Sequence, residues 1–129
     1  MEHPERRAVM DANLAFYRAF ESLQLEEMGK VWARGVAVRC VHPGWPLLRG
    51  WDDVMASWER IFENASMMKF AITGAEAEVE DDWAWVACME NIMSVQDGRV
   101  GEGKVQATNI FRKIEGRWLV VHHHGSPVG

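Results

Sequence analysis

The chain has 129 residues, 48% of them hydrophobic and 26% charged, with a formal net charge of −5. That is enough for one domain, read here as 1–129, and too short for a catalytic cleft between two ordinary ones. The acidic balance gives no electrostatic reason to meet nucleic acid or an anionic membrane. The charged opening MEHPERR and the want of any apolar run of roughly 18 residues predict neither signal peptide nor membrane span, so a cytoplasmic protein is expected.

Along residues 5–23, Val9, Ala12, Phe16, Ala19, Phe20 and Leu23 recur at helical spacing, with Pro4 where a first turn tolerates it. Leu25, Met28, Val31 and Trp32 continue that period over 24–33 before Gly35, which predicts a second, short helix. Residues 36–42 are β-branched and brief, and Pro43-Gly44 closes them as a strand running into a turn. Residues 51–64 return to helical period. Thereafter 67–80, 83–95, 104–114 and 117–124 read as four strands, separated by Asp81-Asp82, Asp97-Gly98 and Glu115-Gly116. Helices followed by an antiparallel meander predict an α+β fold, a curved antiparallel sheet covered on its concave face by three N-terminal helices.

Register turns this outline into a site. A two-residue loop at Glu115-Gly116 pairs Ile114 with Arg117, and an uninterrupted ladder then sets Phe111 opposite Val120, Asn109 opposite His122 and Ala107 opposite His124. A like loop at Asp97-Gly98 pairs Val86 with Asn109 and Glu90 with Val105, adding Ala84, Val86, Cys88 and Glu90 to the same face. His123 then points to the opposite face, with Trp85, Ala87, Met89, Thr108, Ile110, Leu119 and Val121. That face is too apolar for water and the three helices cannot cover it, so a homodimer through the convex sheet face is expected.

Several stretches resemble a known family. His42-Pro-Gly-Trp45, Gly50-Trp51, Ser57-Trp58-Glu-Arg-Ile-Phe62, Thr108-Asn-Ile-Phe111 and the run from Gly116 to Pro127 are similar to the SnoaL-like branch of the nuclear transport factor 2-like superfamily. The resemblance implies a cone-shaped α+β barrel, usually dimeric, with a pocket between the long helix and the concave sheet. The fold hosts isomerases, dehydratases, cyclases and hydrolases, so it does not by itself give function. The ketosteroid isomerase pattern of an Asp base with Tyr and a protonated Asp is not matched. The first strand offers Cys40 and His42, and Tyr17 is the one tyrosine.

His122 and His124, with Asn109 across from them and Glu90 as the nearest carboxylate, are the expected acid/base group, because imidazole titrates near neutrality and an amide can fix its tautomer. His42, Trp45, Tyr17, Trp58, Cys88 and Val120 are expected to line the ligand pocket. A zinc site from His42, His122 and His124 is the alternative weighed. Without a fixed fourth ligand it is not adopted, and no cofactor or metal is expected. Cys40 and Cys88 lie in no CxxC arrangement and read as buried thiols. The expected function is binding of a small apolar or aromatic molecule, with metal-free lyase, isomerase or hydrolase chemistry. The alternative is a non-catalytic ligand-binding or association module.

Overall fold

The computed structural model describes residues 3–129. Helices α1 (Arg6–Ser22) and α2 (Leu25–Val31) lead into short strands β1 (Arg39–Val41) and β2 (Leu48–Arg49), then α3 (Trp51–Glu63). Four long strands follow, β3 (Ala65–Glu80), β4 (Trp83–Gln96), β5 (Arg99–Ile114) and β6 (Arg117–Pro127). They form one curved, unclosed sheet in the order β2-β1-β6-β5-β4-β3. The expected α+β class and helix-covered concave face are as found. One pairing departs from the antiparallel expectation: β1 runs parallel to β6, Arg39 beside His122 and Val41 beside His124. Strand β2 went unread because two residues carry no period.

The α1 face that meets the sheet is Val9, Asn13, Phe16, Tyr17 and Phe20, spaced three and four apart as one helical side requires. At its N-terminus the Glu5 carboxylate does not cap the helix. It accepts instead from Lys113 Nζ and from Trp118 Nε1, tying the helix start to β5 and β6. Aromatic rings fill the space between helices and sheet. Phe20 lies 4.5 Å from Phe70 and 4.7 Å from Trp58, ring centre to ring centre, and Phe16 lies 5.7 Å from Trp58. Such pairs add about 0.5–1.5 kcal/mol each beyond the area they bury.

All three hairpins close with two-residue loops, pairing Glu80 with Trp83, Gln96 with Arg99 and Ile114 with Arg117. In the last two both loop residues have positive φ, 51° and 77° at Asp97-Gly98 and 50° and 79° at Glu115-Gly116. That conformation matches the right-handed twist of the flanking strands. The β4–β5 ladder then runs without interruption, with Val86 opposite Asn109 and Glu90 opposite Val105 as predicted.

The β5–β6 ladder does not. Phe111 pairs with Val120, but Ile110 pairs with His122, leaving Val121 as an extra residue in a β-bulge. From there the register slips by one: Asn109 faces His123, not His122, and Ala107 faces Gly125, not His124. A slip of one exchanges the two faces of a strand. Val120 and Val121 are therefore both buried, and His123 is buried where His122 was expected.

Candidate functional site

Between the helices and the concave sheet lies a cavity of about 440 Å³, walled by Phe20, Trp45, Ile61, Met68, Ile92 and Val105, with His42, Glu90 and His123 among its polar members. A larger depression of about 640 Å³ crosses β3, β4 and β5 around Lys69, Asn91, Met93 and Lys104. Its titratable groups are exposed, whereas the smaller cavity holds three that are 1–2% exposed. Buried titratable groups converging on an apolar cavity are what mark a functional site.

Elements α1, β4, β5 and β6 each contribute one or two members of a continuous hydrogen-bonded chain. Tyr17 OH donates to Glu90 Oε2 at 2.6 Å. Asn109 Nδ2 donates to Tyr17 OH at 3.2 Å and to Asn13 Oδ1 at 2.9 Å. That leaves Asn109 Oδ1 turned toward His123 Nδ1 at 2.5 Å. An amide oxygen only accepts, so the His123 proton sits on Nδ1 and Nε2 carries the lone pair. Cys88 Sγ packs against this chain, 3.5 Å from Tyr17 OH and 3.9 Å from Asn13 Nδ2.

A second cluster stands beside it. His42 Nε2 lies 2.8 Å from Ser57 Oγ, and Ser57 in turn donates to the α3 carbonyl of Val54 at 2.6 Å. The His42 ring touches Trp58 and Trp45 edge to face at 4.6 and 4.9 Å between centres. It stands 6.2 Å from that of His123.

Burial sets the protonation states. Desolvation pushes Glu90 from an ordinary 4.5 up to about 7, against the opposing pull of the Tyr17 hydrogen bond. Such a carboxyl can both give and take a proton near neutrality. Desolvation pushes His42 down to about 4 and holds His123 well below the ordinary imidazole value, with the neighbouring histidines adding to the effect. Both rings are neutral at pH 7. Burial likewise raises the Cys40 and Cys88 thiols, so neither is an activated nucleophile.

Of the residues expected from sequence, Asn109, Glu90, Tyr17 and Cys88 come together in the first chain, and His42 and Trp45 line the cavity. Trp58 and Val120 are fully buried beneath it, in the core. His122 and His124 do not belong. The bulge turns them to the convex face, where they stand with Gln106, Thr108, Ile110 and Ser126, and His42 lies on the other side of the sheet. The three-histidine metal arrangement is thereby excluded, since its members never meet. Three residues of the site were missed. His123 was misplaced by the slip, Asn13 was legible as the residue one helical turn before Tyr17, and Ser57 had no signal beyond its place on the Trp58 helix.

Residues 9–129 match the SnoaL-like domain family. A curated relative, F-box protein SKIP8 of Arabidopsis thaliana, is 31% identical over 120 residues, which are 93% of this chain and 49% of that protein. The chain thus spans about half the length of this relative. Among solved structures, a candidate dehydratase of the NTF2-like family from Streptomyces avermitilis is 36% identical, with TM-score 0.91 over 97% of this chain and 96% of that one. A candidate calcium/calmodulin-dependent protein kinase type II association domain from Thiobacillus denitrificans is 31% identical, with TM-score 0.79 over 92% and 93%. A match over all but the first eight residues, on a helix-covered curved sheet that also superposes on an NTF2-like structure at 36% identity, places this chain in the SnoaL-like family of the NTF2-like superfamily.

Proposed function

We propose that the concave cavity binds a small apolar or aromatic molecule and eliminates water from it by acid/base chemistry. The observation that carries this reading is the pair formed by Glu90, with a carboxyl value near 7, and His123, held as a neutral Nδ1–H imidazole by Asn109. In the reaction His123 Nε2 takes a proton from carbon while protonated Glu90 gives its proton to the departing hydroxyl. The C–O bond breaks, the C–H electron pair becomes a C=C bond, and water leaves. The two groups return to their starting states by exchanging protons with solvent. Tyr17 and Asn109 hold the acid and the base in position and do not meet the substrate. The likeness to a candidate dehydratase supports this choice over isomerisation or hydrolysis.

The test uses the aldol adduct of benzaldehyde and acetone, a neutral β-hydroxyketone whose dehydration yields a conjugated enone and raises near-ultraviolet absorbance. Glu90→Gln and His123→Gln are each expected to lower kcat by at least about 100-fold, the usual scale of a general acid or base. His122→Gln and His124→Gln are expected to stay within about twofold, as surface substitutions do. Loss of turnover in the latter pair instead would return the chemistry to the convex face.

A second reading, an association module, rests on the likeness to the association domain and on the exposed convex face, where Trp83 and Trp85 are 50% and 44% accessible. A second copy of this chain is the occupant proposed for that face, and a dimer is compatible with a working cavity on the other side. Ligand binding with no turnover of any hydroxylated probe, together with stable self-association, would favour this reading.

A further inference from the structure

The two buried imidazoles of the cavity are fixed in opposite tautomers with the same consequence. Ser57 has one hydroxyl hydrogen, and it is spent on the Val54 carbonyl at 2.6 Å. Toward His42 it can therefore only accept, which puts the His42 proton on Nε2 and the lone pair on Nδ1. Asn109 fixes His123 the other way round, with its proton on Nδ1 and its lone pair on Nε2. Each ring spends its single N–H on a protein acceptor. What either can offer a ligand is an acceptor, and at His42 Nδ1 a ligand hydroxyl competes only with the weak donor Cys40 Sγ, 3.9 Å away.

The rest of the lining points the same way. Among the described residues, its lining of fifteen includes two carboxylates, Glu90 and Glu102, and no lysine or arginine. Side-chain donors occur at Gln96 and Ser94, near the β4–β5 hairpin, and at the Trp45 indole N–H on the rim, and none of them carries a charge. The unpartnered indole N–H groups of Trp32 and Trp58 are fully buried and do not line the cavity. A carboxylate or phosphate placed here would meet lone pairs and negative charge with no cation to offset its desolvation. A hydroxyl would find acceptors waiting, and the walls of Phe20, Trp45, Ile61, Met68 and Ile92 suit an apolar body.

We infer that the cavity selects uncharged hydroxylated molecules, with one hydroxyl held by His42 Nδ1, the other beside Glu90 and the C–H to be broken facing His123 Nε2, and rejects carboxylates and phosphates of the same shape. This rests on the elimination reading for the site and names its substrate class: an alcohol or diol on an apolar frame, not an organic acid or a coenzyme thioester carrying phosphates. His42 is then a specificity-determining residue, and Ser57 a positioning residue acting through it.

The test is calorimetric titration with three probes sharing one apolar body, indane diol, indane monoalcohol and indane carboxylate, at mildly alkaline pH where Glu90 is ionised. The diol is expected to bind at least about tenfold more tightly than the carboxylate, with the monoalcohol between them. Carboxylate binding equal to or tighter than the diol overturns the inference, as does the absence of saturable diol binding. Long-range proton–nitrogen correlation spectra of histidine-labelled protein read the tautomers directly. They are expected to show Nε2–H at His42 and Nδ1–H at His123, and the reverse at either ring overturns the acceptor pair. The expected binding order without turnover of the β-hydroxyketone would uphold this ligand class and sink the elimination. Turnover that depends on Glu90 and His123, with the binding order reversed, would do the opposite.

Discussion

Asn109 is the residue on which the site turns, because one fully buried amide satisfies His123 with its oxygen and Asn13 and Tyr17 with its nitrogen. Asn109→Leu keeps the branched shape of the side chain, though not its volume, and removes all three hydrogen bonds. Leaving buried donors and acceptors unpaired costs about 1–3 kcal/mol for each group that cannot relax. A loss of at least about 2 kcal/mol in urea unfolding is the expected outcome, and a change within error would mean that the chain of bonds is not formed in solution. Titration gives a second prediction at this scale. Glu90 has a folded value near 7 against an ordinary 4.5. The protonated form is thus favoured by folding, and its contribution is complete below about 4.5 and lost as pH rises to about 7. That gap corresponds to about 3 kcal/mol. His42, lowered from 6.5 to about 4, works in the other direction. It is neutral in the fold, contributes fully above 6.5, and its contribution is lost as pH falls toward 4. His123 shares that sign, so two histidines outweigh one carboxyl between 4.5 and 6.5. The thermal midpoint is expected to peak near neutrality, at roughly pH 6.5. Glu90→Gln should flatten the decline between 6.5 and 7.5 and steepen the acid limb, since the carboxyl no longer opposes the two histidines there. A midpoint that keeps falling in that variant would contradict the assignment.

At the scale of elements, the bulge in β6 and the close approach of the β1–β2 connection decide what the cavity contains. Val121 is the inserted residue, and nothing in Val120-Val121-His122-His123-His124 marks it. Both valines are apolar, the three histidines are chemically alike, and either register buries a valine and one or two imidazoles. The hairpins, by contrast, were legible because Asp97-Gly98 and Glu115-Gly116 announce a left-handed pair that few other dipeptides tolerate. Further along β6, Gly125 lets the Pro43 turn approach. A Cβ built there would stand 2.9 Å from Val105 Cγ1 and 3.3 Å from Pro43 Cγ. Gly125→Ala is therefore expected to destabilise by about 1–3 kcal/mol, the scale of overpacking, and to displace the rim that carries Trp45. Urea unfolding checks the first effect and weakened binding of the indane diol the second. Unchanged values for both would show that the turn yields freely.

For the whole molecule, the asymmetry between the two sheet faces is the governing fact. The helices cover the concave side, while Trp83, Trp85 and Met93 stay about half exposed on the strands beyond their reach. Among the described residues no helix is long and apolar enough to cross a membrane, so these side chains are not part of a helical span. Self-association predicts a species of twice the chain mass in sedimentation at micromolar concentration, converted to single chains by Trp85→Glu, which sets a charge into the contact. A wild-type protein that sediments as single chains would remove the dimer from the account.

Periodicity and turn chemistry alone determined the helices, the three hairpins, the α+β class, and the sharing of one face by Cys88, Glu90 and Asn109. Each of these follows from interactions within about ten residues, or from a ladder that is unbroken. Which histidine enters the cavity, the pairing of Ser57 with His42, and the convergence of Asn13 with Asn109 from 96 residues away were decided by tertiary structure only. A bulge is stabilised by what packs on either side of it. A buried proton goes to whichever acceptor the fold brings within reach, and neither leaves a local trace in the order of residues.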